Sequence, residues 1–335
     1  MTASLRTLYL QVPFRIAHGV SSTRQVLRLQ EADHIAEAPF APYYTEDPEE
    51  TLRMASLPIL PQHLPRTATL AFNLLRHDIV YQAQNIPLSS FAAKTLGPQG
   101  HPPPACHSLS IPDDLHAFEK RVEELATQFH VLKLKLGSGD LGLDIATVSS
   151  ARYAAPHVQL LLDINGGWDP VQAAAMIEKL AEYQPTLIEQ PIHHSHGIEV
   201  WEDLRSRLPS QCPPIFADES VQSIDDLTKL APYIDGANVK LLKCGSFEGA
   251  IHMIAKAKAV GLKVLLGCMI ESSLGTTAAA HLAPWADWID LDGHLHITND
   301  DFTGLLFTPE GQLKMPDRPG IGAVRCESAA KTCLS

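Results

Sequence analysis

Residues 131–137 read VLKLKLG, and this segment decides the fold prediction because two lysines interrupt an otherwise apolar strand. Lysines two positions apart on a strand point to the same side, and the apolar flanks argue against an exposed edge strand. Further charged residues end short apolar runs downstream, at intervals of 28, 26, 29 and 22 residues counted from Lys135: Asp163, Glu189, Asp218 and Lys240. One strand, one helix and two short loops take about that many residues, so the spacing predicts a repeated βα unit.

The repeat extends over most of the chain. Strands are predicted at 106–111, 131–136, 159–163, 186–189, 214–217, 237–240, 263–268 and 287–291. Helices are predicted between them at 113–129, 141–155, 170–183, 198–207, 223–231, 246–260 and 274–283. The apolar runs are continuous, which is typical of parallel strands buried on both faces. We therefore predict an eight-stranded parallel barrel, with its chemistry at the carboxyl ends of the strands.

Residues 1–104 lack this repeat and are predicted to form an α+β domain. Strands are expected at 5–12 and 24–30, with the polar stretch PFRIAHGVSSTR between them as a loop, and helices at 47–55 and 67–83. The Pro/Gly-rich stretch at 97–105 marks a domain boundary. The barrel is assigned to 105–301, and the turn-rich residues 302–335 are predicted to return to the N-terminal domain.

Composition restricts the partners and the compartment. A net charge of −12 makes nucleic acid and anionic membranes poor partners. No apolar run approaches the roughly 20 residues that span a bilayer, and the N-terminus lacks a signal-peptide pattern. The six cysteines form no CxxC pair, which favours free thiols in a reducing compartment. We expect a cytoplasmic protein.

The carboxylates predict a metal site. Asp163, Glu189 and Asp218 would converge on neighbouring strand ends, where they repel one another unless a cation lies among them. Oxygen-only ligands select a hard divalent metal, and Mg²⁺ is the usual one. For each residue alone, a helix N-cap or a surface turn is the better interpretation; the shared barrel period of all three reverses this and favours the metal site.

The lysines predict a pair of bases. Lys133 and Lys135 would face one interior, and we expect each ammonium to depress the pKa of the other. Lys240, four strands further round, would lie diametrically opposite Lys135. Two bases on opposite sides of one carbon could exchange its proton, while the metal stabilises the resulting enediolate. Lys243 could compete with Lys240, but it is predicted to lie in a loop.

A second acidic pair ends the eighth strand. Asp290 and Asp292 are two residues apart and share a side, so they suit a cationic group such as a substrate amine. The alternative interpretation is a turn-forming DxDG sequence.

The histidines at 193, 194 and 196 lack helical metal-ligand spacing, and we predict that they lie in a loop.

Together these motifs resemble the enolase superfamily, in particular its muconate-lactonizing subgroup. The matching segments are KLK at 133–135, DING at 163–166, IEQP at 188–191, ADES at 217–220 and VKLLKCGS at 239–246. The resemblance implies a (β/α)7β modified TIM barrel with an N-terminal α+β capping domain, which residues 67–91 would help to close. Within the subgroup, residues 268–283 and the DLDGH sequence at 290–294 look like the dipeptide epimerases.

That resemblance implies a role for each candidate residue. Lys135 and Lys240 would be the acid/base pair that inverts the C-terminal α-carbon of a dipeptide, with Mg²⁺ on the three carboxylates. Lys133 would tune Lys135 and contact the substrate carboxylate, and Asp290 and Asp292 would bind the α-ammonium. The remaining pocket residues would be Cys268 and Ile270 on the seventh strand.

Some questions stay open at the level of the sequence. Arg15 or Arg24 could recognise an acidic side chain from the predicted loop over the barrel mouth. The chain has Gly245-Ser246 where the family often has Gly-Gly. An o-succinylbenzoate synthase, a cycloisomerase or a catalytically silent ligand-binding protein are alternatives on the same scaffold. Homo-oligomerisation is also open, since barrels of this family commonly assemble.

Overall fold

The computed structural model describes residues 1–41 and 44–326. Cys333 and the end of the predicted C-terminal segment therefore lie outside the described residues. The described cysteines are free thiols. No helix in the described part of the chain is long and apolar enough to cross a membrane.

The N-terminal domain begins with an antiparallel sheet of β1 (Thr2–Ile16), β2 (Gly19–Glu31) and β3 (His34–Pro39), paired in that order. The loop predicted between the first two strands is wrong, because Ile16 pairs with Gly19 and the strands form one long hairpin. The register shifts between Tyr9 and Phe14, and this irregularity breaks the alternation that would reveal a strand in the sequence. β3 was also not predicted.

Helices pack against this sheet. They are α1 (Pro48–Ala55), α2 (Arg66–Ala83) and α3 (Ser89–Leu96), of which the first two match the predicted segments. The Asp47 carboxylate accepts from Glu50 N and caps α1. Leu70, Leu74 and the other buried residues of α2 recur at helical spacing, and this face packs on β2 and β3.

The described residues from 106 to 290 contain an eight-stranded parallel sheet in which neighbours in sequence are neighbours in space. Its strands are β4 (Cys106–Leu109), β5 (Val131–Lys135), β6 (Gln159–Asp163), β7 (Leu187–Glu189), β8 (Ile215–Ala217), β9 (Gly236–Val239), β10 (Lys263–Gly267) and β11 (Trp288–Asp290). β11 lies beside β4, and Ser108 Oγ of β4 donates to Asp290 Oδ1 of β11. The sheet therefore closes into the predicted barrel.

Each predicted connecting helix is present around the barrel. The helices are α4 (Leu115–Ala126), α5 (Leu141–Ala154), α6 (Pro170–Leu180), α7 (Ile198–Arg207), α8 (Ile224–Leu230), α9 (Leu241–Cys244), α10 (Phe247–Ala259) and α11 (Ser273–Ala280). The single turn of α9 is an addition to the prediction. Gly245 ends it at φ 70°, and Ser246 Oγ accepts from Gly249 N to cap α10. The Gly-Ser departure thus supplies a helix cap.

The barrel interior has an apolar base and a charged upper layer. Cys106, Val131, Leu161, Leu187, Phe216 and Leu265 form the buried cluster at the base. Two residues further along three of these strands stand Lys133, Asp163 and Glu189. Alternate residues of a strand lie on the same face. The face of each strand that contributes an apolar residue to the base therefore also carries the charged residue above it.

Short strand pairs follow the barrel. They are β12 (Phe302–Thr303) with β15 (Val324–Arg325), and β13 (Leu306–Phe307) with β14 (Leu313–Lys314). Gly320 O accepts from Leu88 N and Gly320 N donates to Ile86 O, so this segment contacts the N-terminal domain. The exact domain boundaries at 104 and 301 stay predictions.

Asp144 fixes the loop that follows β5, and we expect its removal to be costly. It is 1% exposed, and its carboxylate accepts from Gly137 N, Ser138 N and Trp168 Nε1 at 2.8 to 3.1 Å. The Asp144→Ala substitution would leave these donors unpaired and should lower the free energy of unfolding by roughly 3 kcal/mol in urea titrations. Asp140→Ala, which removes only the exposed cap of α5, should cost about 1 kcal/mol. Equal losses for the two variants would contradict this assignment.

Candidate active site

The predicted metal-binding carboxylates lie together at the carboxyl ends of three neighbouring strands. Asp163 ends β6, Glu189 ends β7, and Asp218 directly follows β8. All three are 0% exposed. The charge spacing in the sequence therefore corresponds to one buried cluster.

Lys133 lies in the middle of the acidic side chains. Its Nζ is 2.7 Å from Glu189 Oε2, 3.0 Å from Asp163 Oδ2 and 2.7 Å from Asp290 Oδ2. Lys135 Nζ is 2.5 Å from Asp163 Oδ2. The expected depression of the pKa of Lys133 is wrong: burial acts to lower that pKa, but attraction from Asp163, Asp290 and Glu189 raises it well above its ordinary value.

Two more lysines flank Asp218. Lys240 Nζ is 2.6 Å from Asp218 Oδ2, and Lys243 Nζ is 2.7 Å from Asp218 Oδ1. Lys243 is buried on α9, where it also donates to the carbonyls of Asp218 and Asn238. Its prediction as a loop residue is wrong, because the chain turns into helix directly after Lys240. Lys243 thus binds the ends of β8 and β9 together.

The electrostatics of the cluster fit a bound cation. Burial and repulsion from Asp163 raise the pKa of Glu189 to about 7. Burial opposes ionisation of Asp163 and Asp218 as well, yet the adjacent lysines lower the pKa of Asp163 to about 2 and that of Asp218 well below its ordinary value. The lysines thus compensate Asp163 and Asp218 better than Glu189, whose ionised form a bound cation would stabilise.

Two carboxylate oxygens of the cluster form ion pairs but accept no hydrogen bond from the described residues. Glu189 Oε2 and Asp218 Oδ1 each have a lysine nitrogen 2.7 Å away but make no hydrogen bond of acceptable geometry with any described residue. Buried acceptors normally have partners. The donor set is oxygen-only, as hard divalent cations require, so Asp163, Glu189 and Asp218 fit a Mg²⁺ ion.

Neighbouring amides position these carboxylates. Asn238 Nδ2 donates to Glu189 Oε1 at 2.6 Å, and Gln190 Oε1 accepts from Asp218 N at 2.9 Å. A Cβ on Gly267 would lie 2.5 Å from Asn238 Oδ1 and 3.0 Å from Lys240 Cε, so glycine leaves room for both side chains. The sequence analysis missed these residues. Amides and glycines inside apolar runs are common, and only their location beside the carboxylates distinguishes them.

The second acidic pair closes the other side of the site. Asp290 accepts from Ser108 Oγ at 3.1 Å, and Asp292 Oδ2 accepts from Ser108 N at 2.6 Å. His296 Nε2 lies 2.9 Å from Asp292 Oδ2. The DxDG sequence is therefore more than a solvated turn. The partners Ser108 and His296 were not predicted, because a single serine on an apolar strand carries no pattern.

A cavity of about 80 Å³ lies at the carboxyl end of the barrel. Its walls include both proposed bases, the second acidic pair and residues of the N-terminal domain: Lys135, Lys240, Asp290, Asp292, Phe14, Ile16, Arg24 and Phe40. Cys268 and Ile270 also line it, although they follow β10 rather than belong to it. Lys133 is 0% exposed and is held by carboxylates.

The two candidate arginines differ in their positions. Arg24 lines the cavity on the β1–β2 hairpin. Arg15 Nη1 instead binds Asp113 Oδ1 at 2.8 Å, on the exposed side. Of the two, only Arg24 is placed to contact a ligand in this cavity.

Comparison with known proteins agrees with this architecture. Residues 117–329 match the sequence profile of the enolase C-terminal domain-like family. The chain is 35% identical over 219 residues to the L-Ala-D/L-Glu epimerase of Bacteroides thetaiotaomicron, covering 65% of this chain and 54% of that protein. It is 38% identical over 206 residues to the hydrophobic dipeptide epimerase of Roseobacter litoralis, covering 60% and 58%. The chain thus spans little more than half the length of these relatives.

A solved structure extends the similarity to nearly the whole chain. The dipeptide epimerase from Enterococcus faecalis V583, complexed with Mg and the dipeptide L-Leu-L-Tyr, superimposes with a TM-score of 0.83 at 25% identity. The match covers 96% of this chain and 98% of that structure. The N-terminal domain and the barrel are therefore combined in the same way in both proteins.

The carboxylate cluster predicts a specific cation affinity. Asp163→Asn removes a charged oxygen ligand and should weaken Mg²⁺ binding at least about tenfold in calorimetric titrations. Asp292→Asn is the matched control, since it makes the same change at the same rim outside the carboxylate cluster, and it should bind Mg²⁺ like the parent. An equal loss in both variants would mean that the cation is held by general negative charge.

Proposed function

Because the chain belongs to the enolase C-terminal domain-like family, we propose that it is a Mg²⁺-dependent dipeptide epimerase. It would invert the C-terminal α-carbon of a dipeptide by two-base 1,1-proton transfer. One observation carries the proposal: Lys135 and Lys240 come from opposite sides of the barrel and line one cavity.

The two lysines divide one proton transfer between them. Lys135 ends the second strand of the barrel and Lys240 directly follows the sixth, so an α-carbon bound between them presents one face to each. One amine removes the α-proton and the other ammonium delivers a proton from the opposite face, which inverts the centre. The roles exchange for the reverse reaction.

The carboxylate cluster has a separate task. Asp163, Glu189 and Asp218 would hold Mg²⁺, in keeping with the Mg in the Enterococcus faecalis structure. When bound there, the cation supplies electrostatic stabilisation for the negative charge that develops on the substrate carboxylate. Asn238, Gln190 and Lys243 keep the carboxylates oriented. Lys133 balances charge beneath the site, and its contact with a substrate carboxylate stays a prediction.

The acidic pair favours a substrate with a free amine. Asp290 and Asp292 line the cavity together, where an α-ammonium could replace the neighbouring lysine and histidine as their partner. Substrates of o-succinylbenzoate synthases and cycloisomerases have no such ammonium. Cys268 and Ile270 would contact the dipeptide backbone, and Arg24 would contact the C-terminal side chain. An acidic side chain would suit Arg24 best.

Deuterium exchange tests the reaction directly. The protein is incubated with Mg²⁺ and a dipeptide library in D₂O, and α-deuteration of the C-terminal residue is followed by mass spectrometry and NMR. We expect deuterium gain together with the appearance of the epimer. Absence of exchange for every dipeptide would overturn the proposal, whereas elimination or ring closure of non-peptide acids would support the alternative reactions.

The two-base mechanism predicts that the two single-lysine variants differ in the stereoisomer whose α-proton they still exchange. Lys135→Ala and Lys240→Ala should each slow epimerisation by about 10³-fold, because each removes one of the two proton-transfer groups. In each variant the remaining lysine still faces the α-proton of one epimer. Each variant should therefore exchange that proton without inversion, and the two variants should do so with opposite stereoisomers. Lys263→Ala, which removes an exposed lysine paired with Asp287, is the control and should be fully active. Full epimerase activity in either active-site variant would refute the mechanism.

Asp292 can be tested through the substrate amine. Asp292→Asn removes a charged acceptor and should raise KM for dipeptides with a free amine by about 10- to 100-fold, with a smaller effect on kcat. N-acetylated dipeptides, which lack the ammonium, should show the same low activity with both proteins. An equal loss for free and blocked substrates would rule out this role.

A further inference from the structure

A second and larger cavity adjoins the catalytic one. It measures about 510 Å³, compared with about 80 Å³ for the catalytic cavity. It is bounded by β1, the end of β4, helix α4 and the segment after β11. This volume is within the range typical of small-molecule sites. It exceeds what a substrate backbone alone would need.

The two cavities meet beside Asp292. Phe14, Ser108 and His296 contribute to the walls of both. Ser108 N donates to Asp292 Oδ2, and His296 Nε2 lies 2.9 Å from the same oxygen. A dipeptide whose ammonium binds Asp292 therefore has its N-terminal α-carbon at the junction, with the larger cavity directly next to it.

The inner wall of this second cavity is apolar. Leu109, Phe118 and Leu125 line it and are buried. Burial of an apolar group against such a wall is favourable roughly in proportion to the area removed from water. A methyl side chain would fill little of this cavity.

The charged residues around the cavity already have partners. Asp113 binds Arg15 at 2.8 Å, Asp114 caps α4, and Arg121 pairs with Glu124 at 3.0 Å. A charged ligand group would have to displace one of these contacts. A charged side chain would therefore gain little here, whereas the apolar wall favours an apolar one.

One polar group in the wall lacks a partner. His107 Nδ1 is buried and makes no hydrogen bond with any residue that the structure describes, the nearest Asp292 oxygen being 3.9 Å away. Burial lowers the pKa of His107 to about 4, so its ring is neutral near pH 7. The wall thus carries a neutral imidazole ring at this point, which suits an apolar or aromatic side chain better than a charged one.

We propose that this cavity binds the side chain of the N-terminal residue of the dipeptide and prefers bulky apolar, chiefly aromatic, residues over alanine. The inference rests on the proposed function, because Asp292 must bind the N-terminal ammonium for the side chain to reach the cavity. For this chain we therefore expect a hydrophobic N-terminal residue rather than the L-Ala in the name of the Bacteroides thetaiotaomicron relative.

A filling substitution tests the cavity without disturbing the core. Ala117 lies on α4, is exposed, and lines the cavity, so Ala117→Trp should occupy it while the protein folds normally. Glu123→Trp places the same residue at another exposed position of α4 and is the control. Each protein is assayed with dipeptides that carry Ala, Leu, Phe or Tyr before the best C-terminal residue from the library.

We expect the parent protein and Glu123→Trp to turn over the Phe and Tyr dipeptides with kcat/KM at least about tenfold above the Ala dipeptide. Ala117→Trp should lose this preference through KM, while its kcat/KM for the Ala dipeptide stays within about twofold of the parent. Equal rates for Ala and aromatic dipeptides, or an unchanged preference in Ala117→Trp, would overturn the inference and leave the epimerase proposal intact. A complete absence of dipeptide turnover would instead refute the proposed function itself.

Discussion

The structure depends on the balance of buried charge at the carboxyl end of the barrel. Asp163, Glu189 and Asp218 are all removed from water there, and isolated buried carboxylates are strongly unfavourable. Lys133 compensates from below, and Lys135 and Lys240 from the sides. The site is stable as a set because removing one partner leaves another charge buried and unpaired.

The need to balance these buried charges accounts for the hydrogen bonds that hold the residues around the site in position. The apolar base of the barrel supports the charged layer, while Asn238, Gln190 and Lys243 restrict the carboxylates to one orientation. The proposed bases are paired with the same carboxylates that would hold the cation. Cation binding and the release of Lys135 and Lys240 from their carboxylates would therefore be linked.

The N-terminal domain completes a site whose charges come from the barrel. Its β1–β2 hairpin and Phe40 form one wall of the cavity that Lys135 and Lys240 line. The buried Glu37 of β3 binds Arg28 and also accepts from Ser272 Oγ at the start of α11, which joins the domain to the loop carrying Cys268 and Ile270. This contact joins two parts of the chain that are 235 positions apart.

The sequence by itself determined the barrel and the convergence of Lys135, Asp163, Glu189, Asp218 and Lys240, because strand ends recur at a regular interval and parallel strands bring their carboxyl ends to one rim. It did not reveal the β1–β2 hairpin, whose alternation is interrupted by a register shift. It also missed Ser108, His107 and His296 around Asp292. These contacts and the larger cavity join β1, β4 and the segment after β11, and no local pattern records them. Only the tertiary structure decided them. Sequence periodicity reports the secondary structure of residues that are close along the chain, whereas packing brings together residues that are far apart in the sequence and share no pattern.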